Sequence, residues 1–378
     1  MKVLHIVPTF YPATYWGGPI WSTKAICDGI AAVPDVELQV LTSDAAGPAI
    51  SDRVTPATLP YPVHYARRMA GHCIAPDLLA RLPRAIHWAD LVHVTGTYNM
   101  PTLPAFALAR VLGKPLVWSP RGALQATEDW AEAPHLRIKH GFEHLANIFR
   151  PRDTVLHVTA AQEARQSVRR LQGIARAVIP NAVDIPVDLP QRQRDGSGCR
   201  LMFLSRLHPK KGLEALFDTM ARLPSRFTLD IYGTGDAAYA RMLQLRANFS
   251  NGRIRMHGHV EGKAKAAAFA GADLFVLPSH SENFGIVVAE ALAHRVPVLT
   301  TQRTPWQELE RHGCGRCIDL SRSDLAAEIA ALAEHDLLQM GERGRAWVRR
   351  DFSTAAMVAA FEGLYRDLAG QGFQEVMV

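Results

Sequence analysis

Short apolar runs alternate with longer stretches of helical period along this chain. In the first half the runs cover residues 2–7, 36–42, 91–95, 115–119, 154–159 and 177–179. Between them, stretches 19–32, 75–87, 101–112, 135–149 and 161–171 read as helices. Strands alternating with helices predict βαβ units and a parallel sheet. Strands covered on both faces explain why the runs are almost continuous Val, Ile and Leu.

The pattern breaks between residues 180 and 198, where Pro186, Pro190, Gly196 and Gly198 sit among Gln, Arg and Asp, a linker composition. It restarts at 200–205, with further strands at 227–232, 253–257, 274–277 and 296–300 and helices at 211–222, 237–247, 263–270 and 284–294. Residues 324–368 are helical almost throughout. The prediction is an α/β chain of two Rossmann-like doubly wound domains, 1–188 and 189–378, with the last helix able to cross back to the first. Open α/β sheets bind ligands beyond the carboxyl ends of their strands, so two such domains facing a cleft would hold two substrates.

Composition narrows the class. The 378 residues are 48% hydrophobic and 21% charged, which suits a globular enzyme with a core in each half. A net charge of +6 fits an anionic partner, but Arg is spread along the chain with no basic tract, so nucleic acid is not expected. No run of about 18 apolar residues predicts a membrane-spanning helix. The apolar start is cut by Pro8 and Pro12 and lacks a signal-peptide pattern, which predicts a buried first strand and a cytoplasmic protein. Five cysteines, odd in number and widely spaced, give no disulfide framework. Cys314 and Cys317 form a lone C-x-x-C with too few ligands for zinc, and no metal is expected.

Three segments carry candidate chemistry. Residues 279–292 follow an apolar strand, pass through a polar loop and enter a helix. Backbone N–H groups at a helix start form an anion site, so Asn283, Phe284, Gly285 and Ile286 can hold a phosphate. Glu282 in the loop and Glu290 two turns on can accept from sugar hydroxyls; each alone would also pass for a helix cap or a solvated acid. Arg206 and Lys211 bracket the turn after the strand at 200–205, where two cations at a helix start call for an anion. Gly17 and Gly18 precede the first helix and permit close backbone approach to a ligand. The turn before them, filled by residues 8–12, lacks the G-x-G-x-x-G of a dinucleotide-binding dehydrogenase. The G-x-G at 233–235 reads as a tight turn.

Taken together, these segments resemble glycosyltransferase family 4, retaining enzymes of the GT-B fold, over essentially the full chain. The resemblance is strongest in 201–212, in 272–301 and around Asn181. It implies an acceptor-binding N-terminal domain and a C-terminal domain that binds a UDP- or GDP-sugar. It places Glu282 on the donor sugar, Glu290 on the ribose, Arg206 and Lys211 on the diphosphate, and Gly17 and Gly18 by donor phosphate and acceptor. Backbone groups around Gly258 and Val260 would meet the base. Asn181 would face the cleft or serve the hinge. Many relatives carry a His where Arg121 stands, so proton transfer through His is not expected at that position; Arg121 itself is a catalytic candidate, as a branch of the family with Arg there implies, and His93 and Asp90 before it are two more, although a lone His at a strand end also reads as structural.

The implied reaction is front-face transfer without a metal, in which the leaving phosphate takes the acceptor proton. The implied acceptor is a saccharide or lipid-linked saccharide in bacterial surface polysaccharide or lipopolysaccharide synthesis. Residues 136–150 alternate basic and apolar groups, and two readings fit: a helix lying on the inner face of an anionic membrane, or one packed on the sheet. The competing functions are a non-catalytic nucleotide-sugar-binding partner, or a hydrolase or epimerase of the same fold.

Overall fold

The computed structural model describes residues 1–126, 130, 134–167, 169–171, 173–190 and 198–370. Position 168 of the expected helix 161–171, and 191–197 of the expected linker, lie outside these. The chain divides into two compact units. The first takes in Met1–Ala182 and the final helix; the second is Val183–Ser353.

The first unit is built on a seven-stranded sheet. Its elements are β1 (Lys2–Thr9), α1 (Gly18–Ala31), β2 (Glu37–Ser43), β3 (Val63–Ala66), α2 (Pro76–Trp88), β4 (Leu91–Thr95) and α3 (Thr102–Val111). There follow β5 (Leu116–Ser119), α4 (Leu136–Phe149), β6 (Thr154–Val158), α5 (Ala161–Ser167) and β7 (Ala175–Val178). All pairings are parallel, in the order β3-β2-β1-β4-β5-β6-β7.

Alternate residues of each strand enter opposite cores, as the two-residue period of a strand requires. Leu4, Ile6, Val92, Val94, Leu116 and Trp118 pack under α2 and α3. Val3, Val7, Leu91, Val117 and Val155 pack under α1 and the final helix.

The second unit holds β8 (Cys199–Leu204), α6 (Leu213–Arg222), β9 (Phe227–Tyr232), α7 (Ala237–Asn248), β10 (Ile254–Gly258), α8 (Gly262–Ala270) and β11 (Leu274–Leu277). Next come α9 (Ile286–Ala293), β12 (Val298–Thr301), β13 (Gly315–Ile318), α10 (Leu325–Ala333) and α11 (Leu337–Asp351). Its six parallel strands run β10-β9-β8-β11-β12-β13 around one continuous core. The last helix, α12 (Thr354–Gly370), returns to the first unit, where Met357, Phe361, Leu364 and Tyr365 are buried.

Two strands escaped the hydrophobic pattern, β3 and β13. Both lie at sheet edges. An edge strand is less enclosed than a central one, so its sequence need not be apolar throughout.

The division between units falls at Ala182, earlier than the Pro- and Gly-rich stretch. Ile179 and Ala182 are buried with the α12 residues, whereas Val183 belongs to the second core and its N–H donates to Phe352 O at 2.9 Å.

Among the described residues, no helix is long and apolar enough to cross a membrane. No group of three or more His, Cys, Asp or Glu side chains there could hold a metal ion. Cys314 is buried and Cys317 half-buried, and burial pushes both thiols up to about 12.

Candidate functional site

Strand order in the second unit reverses between β8 and β11, which makes their carboxyl ends a topological switch point, the usual ligand position in an open α/β sheet. Both loops that carry candidate cations and acids leave from there. The loop after β8 presents Arg206, which is exposed and has no hydrogen-bond or ion-pair partner among the described residues. It then forms a single 3-10 turn at Pro209–Lys211, capped by His208 Nδ1 accepting from Lys210 N at 3.1 Å.

Gly212 ends this turn at φ +72°. A Cβ there would lie 2.1 Å from Pro278 O, so only glycine lets the loop after β8 press against the loop after β11. The two are tied by His280 N donating to Lys210 O at 2.8 Å.

Lys211 Nζ reaches across to donate to Glu282 Oε1, and Ser279 Oγ donates to the same oxygen at 3.2 Å. Both ionic side chains are mostly buried, 15% and 11% exposed, so the pair is a preformed feature and not a loose surface contact.

Immediately beyond, Gly285 at φ +70° opens α9. No side chain caps this helix and no acid lies in its first turn, so the positive end of its dipole has no anion supplied by the cap. Trp306 Nε1 fixes the loop by donating to Phe284 O at 2.6 Å. The Phe284 ring is buried against Trp306 and Phe352, so only its backbone is left for a ligand. Glu290 on α9 accepts from Lys265 Nζ of α8 at 2.8 Å.

The G-x-G turn is the brace behind Arg206. A Cβ on Gly233 would sit 1.8 Å from Ser205 O, and one on Gly235 2.0 Å from Leu207 O. Asp236 caps α7 by accepting from Ala238 N and Tyr239 N, both at 3.0 Å. Gly233 N in turn donates to Gly258 O at 2.7 Å, which joins the Gly258–Val260 turn to the same group of loops. The second unit thus gathers Arg206, Lys211, Gly258, Val260, Glu282, Asn283, Gly285, Ile286 and Glu290 at the carboxyl edge of one sheet.

The first unit contributes a separate group. Arg121 follows β5 in a left-handed conformation, φ +55°, which costs a non-glycine residue about 1–2 kcal/mol. Its guanidinium donates to Asn181 Oδ1 at 3.0 Å and to Thr23 Oγ1 of α1 at 3.4 Å, while its buried Nε has no partner. Burial lowers its pKa to about 10, against the pull of nearby Glu163. The Glu163 carboxylate accepts from Gly122 N at 2.7 Å and Thr159 N at 2.8 Å, holding the turn that carries Arg121. Gly17, at φ +71°, and Gly18 open α1, with no atom within 4 Å of where a Cβ would sit.

His93 is a correction to the sequence reading. It is wholly buried on the face covered by α12, with Nδ1 bonded to Tyr365 Oη and Nε2 to Ser119 Oγ, both at 2.6 Å. Ser119 Oγ also bonds His157 Nδ1 at 2.6 Å, and the His5 ring stacks on His93 at 4.2 Å. Burial keeps all three imidazoles neutral. His93 is therefore a satisfied core group with no free nitrogen for a substrate.

Sequence reasoning missed Thr23, Lys265 and Trp306. Each acts by reaching a partner remote in sequence, and none lies in a recognisable motif.

Residues 198–335, the segment that holds this loop cluster, match the family model described as glycosyl transferases group 1. A phosphatidyl-myo-inositol mannosyltransferase of Mycobacterium tuberculosis is 30% identical over 233 residues, 57% of this chain and 60% of that protein. A D-inositol 3-phosphate glycosyltransferase of Geodermatophilus obscurus is 31% identical over 237 residues, 55% and 53% of the two chains. The matched region thus spans less than two thirds of these curated relatives. The crystal structure of Anabaena HepE in complex with UDP superposes with a TM-score of 0.71 over 96% of this chain and 99% of that one, at 18% identity. The fold is accordingly the GT-B type, two Rossmann-like α/β units, and the stretch that matches the group 1 model lies in the second.

Proposed function

We propose that this protein is a retaining glycosyltransferase of family 4. It would move a hexose from a UDP- or GDP-sugar to a saccharide or lipid-linked saccharide of a bacterial surface polysaccharide or lipopolysaccharide. The observation that carries the reading is the preformed Lys211–Glu282 pair beside the uncapped start of α9, with exposed Arg206 in the loop that delivers Lys211.

The chemistry follows from charge. The bond between the sugar anomeric carbon and the diphosphate oxygen breaks, and negative charge grows on the departing nucleotide. Arg206, Lys211 and the α9 N–H groups stabilise that charge where it develops, the preorganised form of catalysis. The acceptor oxygen bonds to the same face of the sugar, and its proton passes to the departing phosphate oxygen. Glu282, oriented by Lys211 and Ser279, accepts from donor-sugar hydroxyls, and Glu290, oriented by Lys265, from the ribose. Arg121 is the cationic group of the first unit in this reading, and no metal is invoked. HepE, solved with UDP, supports a uridine donor, and the inositol glycosyltransferases support an alcohol acceptor.

Contact with an anionic membrane is part of the proposal. Helix α4 buries Glu143 and Ala146 and turns Ile138, Leu145 and Ile148 outward, Ile138 being 71% exposed. Its one acid, Glu143, is paired with Arg170; of its cations, Lys139 lies over the Tyr98 and Trp130 rings, and Arg137 is not paired with an acid of the helix. An outward apolar stripe flanked by cations suits a lipid surface.

The test is calorimetric titration of UDP and GDP into wild type and Arg206→Ala. Tight binding of one nucleotide, lost in the variant, supports the donor site and identifies the base. Binding of neither, or equal binding to both proteins, overturns it.

A further inference from the structure

Helix α7 differs from its neighbour in what it turns toward solvent. Its inner side, Leu243 and Ala247, is buried in the core of the second unit. Helix α6, tied to it by Arg246 donating to Asp218 Oδ1 at 2.5 Å, turns Asp218, Ala221 and Arg222 outward, the mostly polar face of a surface helix. The outer side of α7 carries Ala238, Met242 and Leu245, continued by Phe249 at the C-cap. Met242 is 36% exposed, Leu245 56% and Phe249 87%.

The spacing of these residues is that of a helix partner surface. Steps of four, three and four residues, 238-242-245-249, give the 3.5-residue period of a coiled-coil seam, with Ala238 and Leu245 at d positions and Met242 and Phe249 at a. Packing onto the sheet already uses the inner side, so this second apolar stripe is left open in the single chain.

The flanks of the stripe indicate what covers it. The e positions hold Tyr239 and Arg246, the g positions Arg241 and Asn248. Asp218 neutralises Arg246, and Gln244 Nε2 donates to Asn248 Oδ1 at 3.0 Å. Arg241 is exposed and pairs with no acid among the described residues. Asp236 stands at the N-cap and Asp218 beside the middle of the helix, so acids border the stripe on a side where an anionic lipid surface would want cations.

A second α7 run antiparallel meets every one of these features. In that arrangement a positions pack on d positions of the opposite helix. The layers are then Ala238 on Phe249 and Met242 on Leu245, each formed twice about a two-fold axis. The largest side chain meets the smallest, which keeps the layers evenly filled. Along the flanks Arg241 lies by Asn248 and Tyr239 by Arg246, so no like charges meet. A parallel pair would stack Phe249 on Phe249, leave Ala238 facing Ala238, and set Arg241 at g beside Arg246 at e of the other copy, a repulsive contact.

We propose that α7 is a homodimer contact, an antiparallel two-helix seam between two copies of this chain. It does not depend on the transferase reading. Four seam positions on each helix make a small interface, so the dimer is weak and forms with rising concentration.

The experiment is sedimentation equilibrium of the full chain between about 5 and 500 µM, a range that spans weak association. The apparent mass of wild type should rise from one chain toward two. Leu245→Glu and Phe249→Glu should each weaken dimerisation at least about a hundredfold, because each change enters the dimer twice and each lost apolar contact is worth about tenfold or more. Both side chains are exposed in the single chain, so the melting temperature of these variants at low concentration should match wild type. Direction is read from mild oxidation of Ala238→Cys and Phe249→Cys, with wild type as the control for the native thiols. The antiparallel seam links the two variants only when they are mixed, since within either one the new thiols lie about 16 Å apart along the axis.

A wild type that stays monomeric at every concentration overturns the proposal, as does a dimer that both glutamate variants leave intact. Linking of Ala238→Cys to itself overturns the antiparallel seam. A monomeric wild type that sediments with phosphatidylglycerol vesicles, and loses this in Leu245→Glu and Phe249→Glu, makes the stripe a lipid contact and overturns it too.

Discussion

Mild acid should loosen the first unit and leave the second in place. His5 and His157 are buried on the sheet face beneath α1 and α12, and burial pushes each imidazole down to about 3, with the Arg121 charge adding to both. The ordinary value is about 6.5 in an unfolded chain. A base whose folded pKa is depressed contributes fully above the unfolded value and loses that contribution as pH falls below it. Going to pH 5 crosses about 1.5 units, or about 2 kcal/mol for each group at about 1.4 kcal/mol per unit, and so about 4 kcal/mol for the pair.

His93 moves in the same direction and adds to this. Glu163 opposes it, because burial raises its pKa and acid then favours its neutral buried form. A loss of about 4 kcal/mol is large against the 5–15 kcal/mol that typically separates folded from unfolded. The fully buried histidines of the described residues all lie in the first unit; in the second, burial lowers half-buried His294 as well, but that ring keeps part of its contact with solvent. The assay is hydrogen exchange at pH 7, 6 and 5, corrected for intrinsic rates. Protection should fall in β1, β4, β6 and α12 well before it falls in β8 and β11. Equal loss in both units, or none in α12, would refute the argument that neutral imidazoles hold this face together.

Three further outcomes are expected. Gly212→Ala puts a Cβ 2.1 Å from Pro278 O and strains a positive φ, so it should destabilise the second unit by at least the 1–3 kcal/mol of such backbone strain, read by urea unfolding, and weaken nucleotide binding with it. Trp306→Phe removes the donor to the buried Phe284 O and should cost about 1–3 kcal/mol by the same measurement, with loosened exchange at the start of α9. Ile138→Asp and Leu145→Asp should leave the melting temperature nearly unchanged, since both side chains are exposed, yet cut sedimentation with phosphatidylglycerol vesicles; unchanged sedimentation would remove the membrane contact.

The sequence by itself determined the alternation of strands and helices, because a central parallel strand must be apolar on both faces and so writes its position into the chain. It also offered Glu282, Glu290, Arg206 and Lys211 as candidates, through the strand–loop–helix strings they belong to and not through any one of them, since a lone Glu reads equally as a cap or a solvated acid. It did not reveal β3 or β13, which lie at edges where nothing demands an apolar run. Nor did it settle His93, because a histidine at a strand end looks the same whether it meets a substrate or a tyrosine from a helix 272 residues away. Helix α4 shows the same limit: its period is visible, but which face turns inward depends on Arg170, a partner outside the helix, claiming Glu143. The tertiary structure alone decided these points, since burial, pairing and the sharing of one proton donor are properties of residues brought together from distant parts of the chain.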